Sequence, residues 1–280
     1  MGAAPGGACL AGRTIHGRDV GHDDGRAEDV AAMISLLGIG RYQLRLAACE
    51  ADLTEALALR RQAFGTCGAD RDAFDPICTH VVIRERVGGR MVCCFRLAVL
   101  ENGSDLSRSY SAQFYELSAL EDYQGRMLEL GRFCIRPGQC DPDILRLAWA
   151  ALTRLVDGMG IGLLFGCSSF VGTETARYRD AFAMLKARHL APARWLPRVK
   201  APDVFQFAAR LRQAPDARMS MLAMPPLLRS YLAMGGWVSD HAVIDRQMNT
   251  LHVFTGLEVG AIPEGRKRLL RGLAGDVARA

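Results

Sequence analysis

The sequence predicts a mixed α/β (α+β) fold, a central sheet flanked by helices, and three observations point to it. Strand-like and helix-like segments run as strand, helix, hairpin, helix, strand, helix, strand, helix, which is not repeated βαβ winding. Of the 280 residues, 50% are hydrophobic, enough for the core of one large domain or two modest ones. No stretch reaches the roughly 18 to 20 continuous apolar residues that cross a bilayer, and no internal repeat marks a solenoid.

Residues 1–40 are rich in Gly, Ala and Asp without sustained periodicity and read as a flexible leader, with a short helix over 29–37. Tyr42-Gln43-Leu44-Arg45-Leu46 alternates apolar and polar side chains as a half-buried strand does. From Glu50 to Phe64, the residues Leu53, Leu57, Arg60, Arg61 and Phe64 fall at helical spacing, and Gly65 and Gly68 mark the exit. Two strand-like runs, 79–85 and 90–100, are joined at Val87-Gly88-Gly89, a hairpin signal. A helix is expected over 111–117 and a strand over 127–135, stopped by Pro137 and Gly138. Asp141 is placed to cap a helix that Pro142 opens and that ends near Met159. The apolar run 161–165 is a buried strand, and 174–188 a further helix with Thr173 available as its cap. After Pro192, prolines punctuate short segments: strands over 204–211 and 253–259 and a helix over 226–234, an extension that completes the same core.

Charge is mild, with 35 Lys plus Arg against 30 Asp plus Glu and a net +5. That permits contact with an acidic protein or an anionic membrane but lacks the localised basic footprint of nucleic-acid binding. Nine cysteines form no CxxC pair and six histidines are scattered, so no metal site is expected. Cys93 and Cys94, inside MVCCFRLAVL, suit the role of small hydrophobes. Free thiols and the lack of a secretory leader point to a reducing compartment, hence a cytoplasmic protein, soluble or peripheral.

The common catalytic signatures are missing: no GxSxG elbow, no phosphate loop, no HExxH and no GxGxxG after a strand. The informative run is Leu128-Glu129-Leu130-Gly131-Arg132-Phe133-Cys134-Ile135, where two ionisable residues and a glycine interrupt an apolar strand. A buried glutamate needs partners, and a glycine in a strand marks a bulge or a close approach. Carboxylate, bulge and free backbone N–H groups together suit acyl transfer to an amine. The competing reading is an edge strand with Glu129 in solvent and Arg132 paired locally. Cys134, without a placed histidine, is a packing residue.

These residues carry a resemblance. Glu129-Leu130-Gly131-Arg132-Phe133 is similar to the Glu-x-x-Arg-Phe stretch of acyl-homoserine-lactone synthases, which have the GNAT acyltransferase fold. LRRQAF with Arg60 and Phe64, DAFD with Asp72 and Asp75, and CCFRL with Arg96 agree in order. The closer resemblance is to bacterial ornithine N-acyltransferases, acyl-carrier-protein-dependent enzymes that make lyso-ornithine lipid. It rests on GCSSFVGTETARYRDAFAMLKARHLAP, on MPPLLRSYLAMGGWV and on DRQMNTLHVF, and it covers roughly residues 42–260.

The resemblance implies a GNAT-like, mainly antiparallel central sheet over 41–260, with an extension from about residue 192 and a basic tail over 261–280. It implies transfer of a 3-hydroxyacyl chain from acyl carrier protein to the α-amine of L-ornithine. The donor is then the carrier's phosphopantetheine thioester, and no bound cofactor is implied. Glu129 becomes the general base, with Gly131 and Arg132 beside the oxyanion. Arg60, Phe64, Asp72, Asp75, Arg96 and Phe133 become the polar lattice and wall of the substrate site. Ser168 and Ser169 are hydroxyl contacts or helix caps. Lys186, Arg188, Arg194, Arg198 and Lys200 form a basic stretch that suits carrier-protein docking, an anionic membrane or plain solvation; Arg266, Lys267, Arg268 and Arg271 form another. Two rival readings remain: an acyl-homoserine-lactone synthase, and a non-catalytic module that binds a carrier protein or a membrane surface. The long C-terminal extension and the absence of tryptophan over 67–70 argue against the synthase.

Overall fold

The computed structural model describes residues 24–34, 36–66 and 70–277. Helix α1 (Asp24–Met33) and strand β1 (Leu37–Ile39) lead to β2 (Tyr42–Leu46) and helix α2 (Glu50–Phe64). The hairpin of β3 (Thr79–Glu85) and β4 (Met91–Leu100) follows, then β5 (Tyr115–Glu116) and the long β6 (Arg126–Ile135). Helix α3 (Pro142–Met159) and β7 (Ile161–Val171) complete the centre. The C-terminal part adds α4 (Arg179–Arg188), β8 (Arg198–Val199), β9 (Val204–Phe205), α5 (Phe207–Arg210) and α6 (Ala217–Ala223). It closes with α7 (Pro226–Ala233), β10 (Trp237–Val238), β11 (Ala242–Asp245), β12 (Thr250–Glu258) and α8 (Glu264–Val277).

The main sheet runs β1-β2-β3-β4-β6-β7-β12-β11-β9, with β10 against β12. Every neighbouring pair is antiparallel except β6 and β7. A parallel pair needs a crossover, and α3 supplies it. Asp141 caps α3 by accepting from the Asp143 N–H, Pro142 opens it, and Gly160 ends it at φ 65°, where a β-carbon would be strained. Apolar residues at helical spacing, among them Ile144, Leu147, Ala148, Leu152 and Leu155, bury against one face of the sheet. The other face receives α2 and the 3₁₀ turns Gly103–Arg108 and Ser111–Gln113.

Several expectations are corrected. The leader assigned to residues 1–40 gives way from Asp24 to helix and strand that enter the core, with Val30, Ile34 and Leu37 at most 3% exposed. Residues 1–23, and Gly68 at the α2 exit, lie outside the described residues. The helix expected over 111–117 is a single 3₁₀ turn followed by β5, because Tyr115 and Glu116 pair with Val199 and Arg198 of β8 as strand. The helix expected from 174 begins as a 3₁₀ turn, Thr175–Tyr178, and its cap is Glu174 rather than Thr173. The strand expected over 204–211 lasts two residues before α5, and the basic tail is the helix α8, whose Ala274 and Val277 are buried. Among the described residues, no helix is long and apolar enough to cross a membrane.

Candidate active site

The site grows from a fork in the sheet. Pairing of β6 with β7 ends at Glu129↔Phe165. Yet β6 continues along β4 to Ile135↔Cys93, and β7 continues along β12 to Val171↔Thr250. The facing edges of β6 and β7 therefore diverge beyond Glu129. Gly166 stands at the fork, where a β-carbon would lie 2.3 Å from the Leu130 carbonyl oxygen, so only glycine lets the strands meet there. On the β4 side, Cys94↔Cys134 and Arg96↔Gly131 leave one extra residue in β6, a bulge. Arg132 occupies it at φ 51°, a backbone region that costs an arginine about 1–3 kcal/mol. Beside it, a β-carbon on Gly131 would press on Arg96 Nε at 3.3 Å, so the glycine gives the buried guanidinium room.

The bulge delivers Arg132 into a buried ion lattice. Arg96 reaches Asp72 through both terminal nitrogens, at 2.6 and 2.9 Å, and Asp75 at 2.8 Å. Arg60, from α2, donates to Asp75 at 2.7 Å. Arg132 donates to Asp72 at 2.9 Å and stands 3.2 Å from Asp70. Three arginines thus neutralise three aspartates, which is what such burial requires. Arg60 also donates to His80 Nδ1 at 3.2 Å, so that nitrogen is the acceptor and Nε2–H donates to the Asp75 carbonyl at 2.9 Å. Burial pushes the Asp72 and Asp75 carboxyls up, but the arginines outweigh it and both lie below the ordinary value. Asp70 lies above it, because burial wins there. The side chains of Arg60, Arg96 and Asp75 are at most 2% exposed, whereas Arg132 and Asp72 retain 10% and 23%. The first three are enclosed scaffold; the last two present the lattice's accessible cation and carboxylate.

Glu129 lies on the same face of β6 and is 4% exposed, which removes the solvent-facing reading. Its Oε1 accepts from the Ser111 hydroxyl at 2.6 Å and the Ser111 N–H at 2.8 Å, and Oε2 from the Tyr110 N–H at 2.9 Å. Burial drives the carboxyl above its usual range, against those hydrogen bonds and the nearby Arg96 charge. Tyr110 then covers the lattice, with the Arg132 and Arg96 guanidinium centres 4.7 and 5.4 Å from its ring centroid.

Other residues stand apart to varying degrees. Side chains alternate along β7, and Cys167 lies 3.5 Å from the Ser111 hydroxyl on the site face. Ser169 shares that face, in register with His252, while Ser168 turns to the helical face and accepts from Thr255 at 2.9 Å. Ser168 is therefore not beside Glu129. Phe133 stacks on Phe95 and packs with the α3-side core, and Phe64 packs beside α2 and β4. The basic stretch lies at the surface, and four of its five cations contact the protein itself. Lys186 donates to the Leu211 carbonyl, Lys200 to the Ala112 carbonyl, Arg194 pairs with Glu258, and Arg198 lies 3.8 Å from Glu116; Arg188 is exposed. Sequence spacing missed Tyr110, Ser111, Asp70 and His252. His252 is 3% exposed and held neutral, since burial pushes it down to about 3. The Tyr115 hydroxyl lies 2.8 Å from its carbonyl and 3.1 Å from Nδ1, while Nε2 is buried with no partner among the described residues.

The family model described as Acetyltransferase (GNAT) domain matches residues 54–150, a span that holds most of α2, the lattice, the bulge and the start of α3. The chain is 31% identical over 240 residues to the L-ornithine N(alpha)-acyltransferase of Rhodobacter capsulatus, covering 80% of this chain and 92% of that relative. Its counterpart of the same name in Brucella abortus is 29% identical over 248 residues, 80% of this chain and 86% of that one. Among solved structures, an N-acyl amino acid synthase from uncultured soil microbes aligns with a TM-score of 0.46 at 10% identity, over 79% of this chain and 94% of that one.

Proposed function

Because the chain belongs to the L-ornithine N(alpha)-acyltransferase family, and so is an acyltransferase of GNAT type, we propose that it acylates the α-amine of L-ornithine. The donor in this reading is a 3-hydroxyacyl chain on the phosphopantetheine thioester of acyl carrier protein, and the product is a lyso-lipid. The observation that supports it most is the buried carboxylate of Glu129 beside the point where β6 and β7 part. A thioester laid in the fork meets backbone N–H groups of the bulged 131–133 segment, which suit a developing oxyanion.

The amine nitrogen attacks the thioester carbonyl carbon, and a C–N bond forms. The surplus proton on nitrogen passes to Glu129, directly or through the Ser111 hydroxyl that already donates to it. The tetrahedral intermediate then expels sulfur, the C–S bond breaks, and the thiolate takes the proton and leaves as the carrier thiol. No covalent enzyme intermediate is needed. An α-amine has a pKa near ~8 against ~10.4 for a side-chain amine, so at neutral pH it supplies the larger nucleophilic fraction. Ornithine brings a carboxylate and a second ammonium, for which Arg132 and Asp72 are the accessible partners.

A second reading of Glu129 has its own support: three hydrogen bonds make it the anchor of the 109–113 segment. Glu129→Gln separates the two. A base predicts a fall in kcat by orders of magnitude with carrier affinity retained, whatever the stability lost with the contacts glutamine cannot accept; an anchor predicts a lower melting temperature with turnover of the folded protein retained. Mass spectrometry of lipids from cells that express the chain tests the substrate. A new ornithine lyso-lipid upholds the reading, and a released lactone or acylated lysine, glutamine or glycine overturns it.

A further inference from the structure

We propose that the outer face of α6 is the surface by which this protein rests on an anionic lipid bilayer. The orientation of α6 is fixed from within. Ser220 is fully buried, and its hydroxyl lies 2.8 Å from the Asp180 carbonyl on α4 and 2.6 Å from the Asp216 carbonyl; Met224, just past the helix, is 2% exposed. That rotation turns Met219, Met221 and Leu222 outward, at 52%, 49% and 72% exposure. Three of the ten large hydrophobic residues exposed among the described residues therefore fall within four positions of one helix. A contiguous patch of this kind marks a contact surface.

Its surroundings select the partner. Arg218 lies on the helix, Arg212 precedes it, and Arg229 reaches over from α7 to donate to the Met221 carbonyl at 3.4 Å. Two carboxylates lie near it, Asp216, whose Oδ1 accepts the Met219 N–H, and Asp180, whose Oδ1 accepts the Asp216 N–H, and the three arginines outnumber them. Exposed apolar side chains with arginines on and beside the same helix match lipid tails beneath anionic headgroups, with arginine forking onto phosphate. A folded partner instead selects shaped pockets and aromatic anchors, and the three outward residues are two unbranched methionines and a leucine. The basic stretch 186–200 is exposed as well, but two of its arginines, Arg194 and Arg198, stand beside carboxylates of the protein itself, Glu258 and Glu116. The inference rests on the proposed reading in one respect: a lyso-lipid product partitions into the membrane on which the enzyme would sit.

The experiment is flotation of the full chain with vesicles of phosphatidylglycerol mixed with phosphatidylcholine, and with phosphatidylcholine alone. The wild type is expected to float with the anionic vesicles and to be released by salt. The double variant Met219→Glu with Leu222→Glu is expected to lose binding by about tenfold or more, with turnover on soluble donor unchanged. Wild type that ignores anionic vesicles, or a variant that floats equally well, overturns the proposal. So does a variant whose only defect is a raised KM for acyl carrier protein, which would make the face a protein-docking surface. Wild type that floats but does not acylate ornithine upholds the membrane face and overturns the acceptor reading, so the two failures are read apart.

Discussion

Arg96 is held between Asp72 and Asp75 with a side chain only 2% exposed, so its charge cannot be removed without stranding theirs. Arg96→Ala is expected to destabilise the fold by about 3–5 kcal/mol, read as a lower urea midpoint. Arg96→Lys keeps the charge but not the two-pronged contact with Asp72, and should fall between. Arg60, Asp72, Asp75, Arg96 and Arg132 were legible in the sequence because they sit in short fragments that resemble known motifs. Ser111 and His252 were not. Ser111 meets Glu129 from 18 residues away, and His252 meets Tyr115 from 137, and no local spacing encodes such contacts. The opposite orientations of Ser168 and Ser169 follow only once the register of β7 against β12 is known.

Among the elements, the fork between β6 and β7 does most to shape the site, and Gly166 is its hinge point. Gly166→Ala places a β-carbon against the Leu130 carbonyl oxygen and should cost about 1–3 kcal/mol of stability while lowering turnover, measured by urea unfolding and steady-state assay. Elements set by local rules were legible. α2 and α3 follow from apolar spacing, caps and Pro142, and β3 and β4 from strand-like apolar runs joined at Gly88 and Gly89. Elements set by distant partners were not. The 111–117 segment has helical composition, but Tyr115 and Glu116 pair with Val199 and Arg198 as strand. α6 escaped notice because its apolar residues face outward and give no core-facing stripe.

At the scale of the whole molecule, buried carboxylates couple stability to pH. Asp52 accepts from Arg45, Arg84 and the Ala48 N–H; burial opposes ionisation there, but these partners hold its carboxyl well below the usual range. Asp72 and Asp75 are lowered likewise. A lowered folded-state pKa contributes stability that is complete above the unfolded value, near ~3.9, and drains away as pH falls through the folded value. Asp70 and Glu129 are raised by burial, so their contribution has the opposite sign and is lost as pH rises through their folded values. Three lowered groups against two raised ones predict steep loss of stability below about pH 4, and Asp52→Asn should flatten that slope in acid unfolding followed by circular dichroism. The large mixed sheet was legible at this scale. Its anchoring of α1 and α8 was not, since those end segments are polar or glycine-rich and gain their order by packing against α3.

The direct test of the central claim is the pH dependence of kcat/KM for ornithine in the wild type and in Glu129→Gln. A buried carboxylate base predicts a wild-type rate that climbs with pH through a value above the ordinary carboxylate range, and a variant slowed by about 10²- to 10⁴-fold without that limb. A variant that keeps both the rate and the limb would mean that Glu129 holds the fold in place and takes no proton.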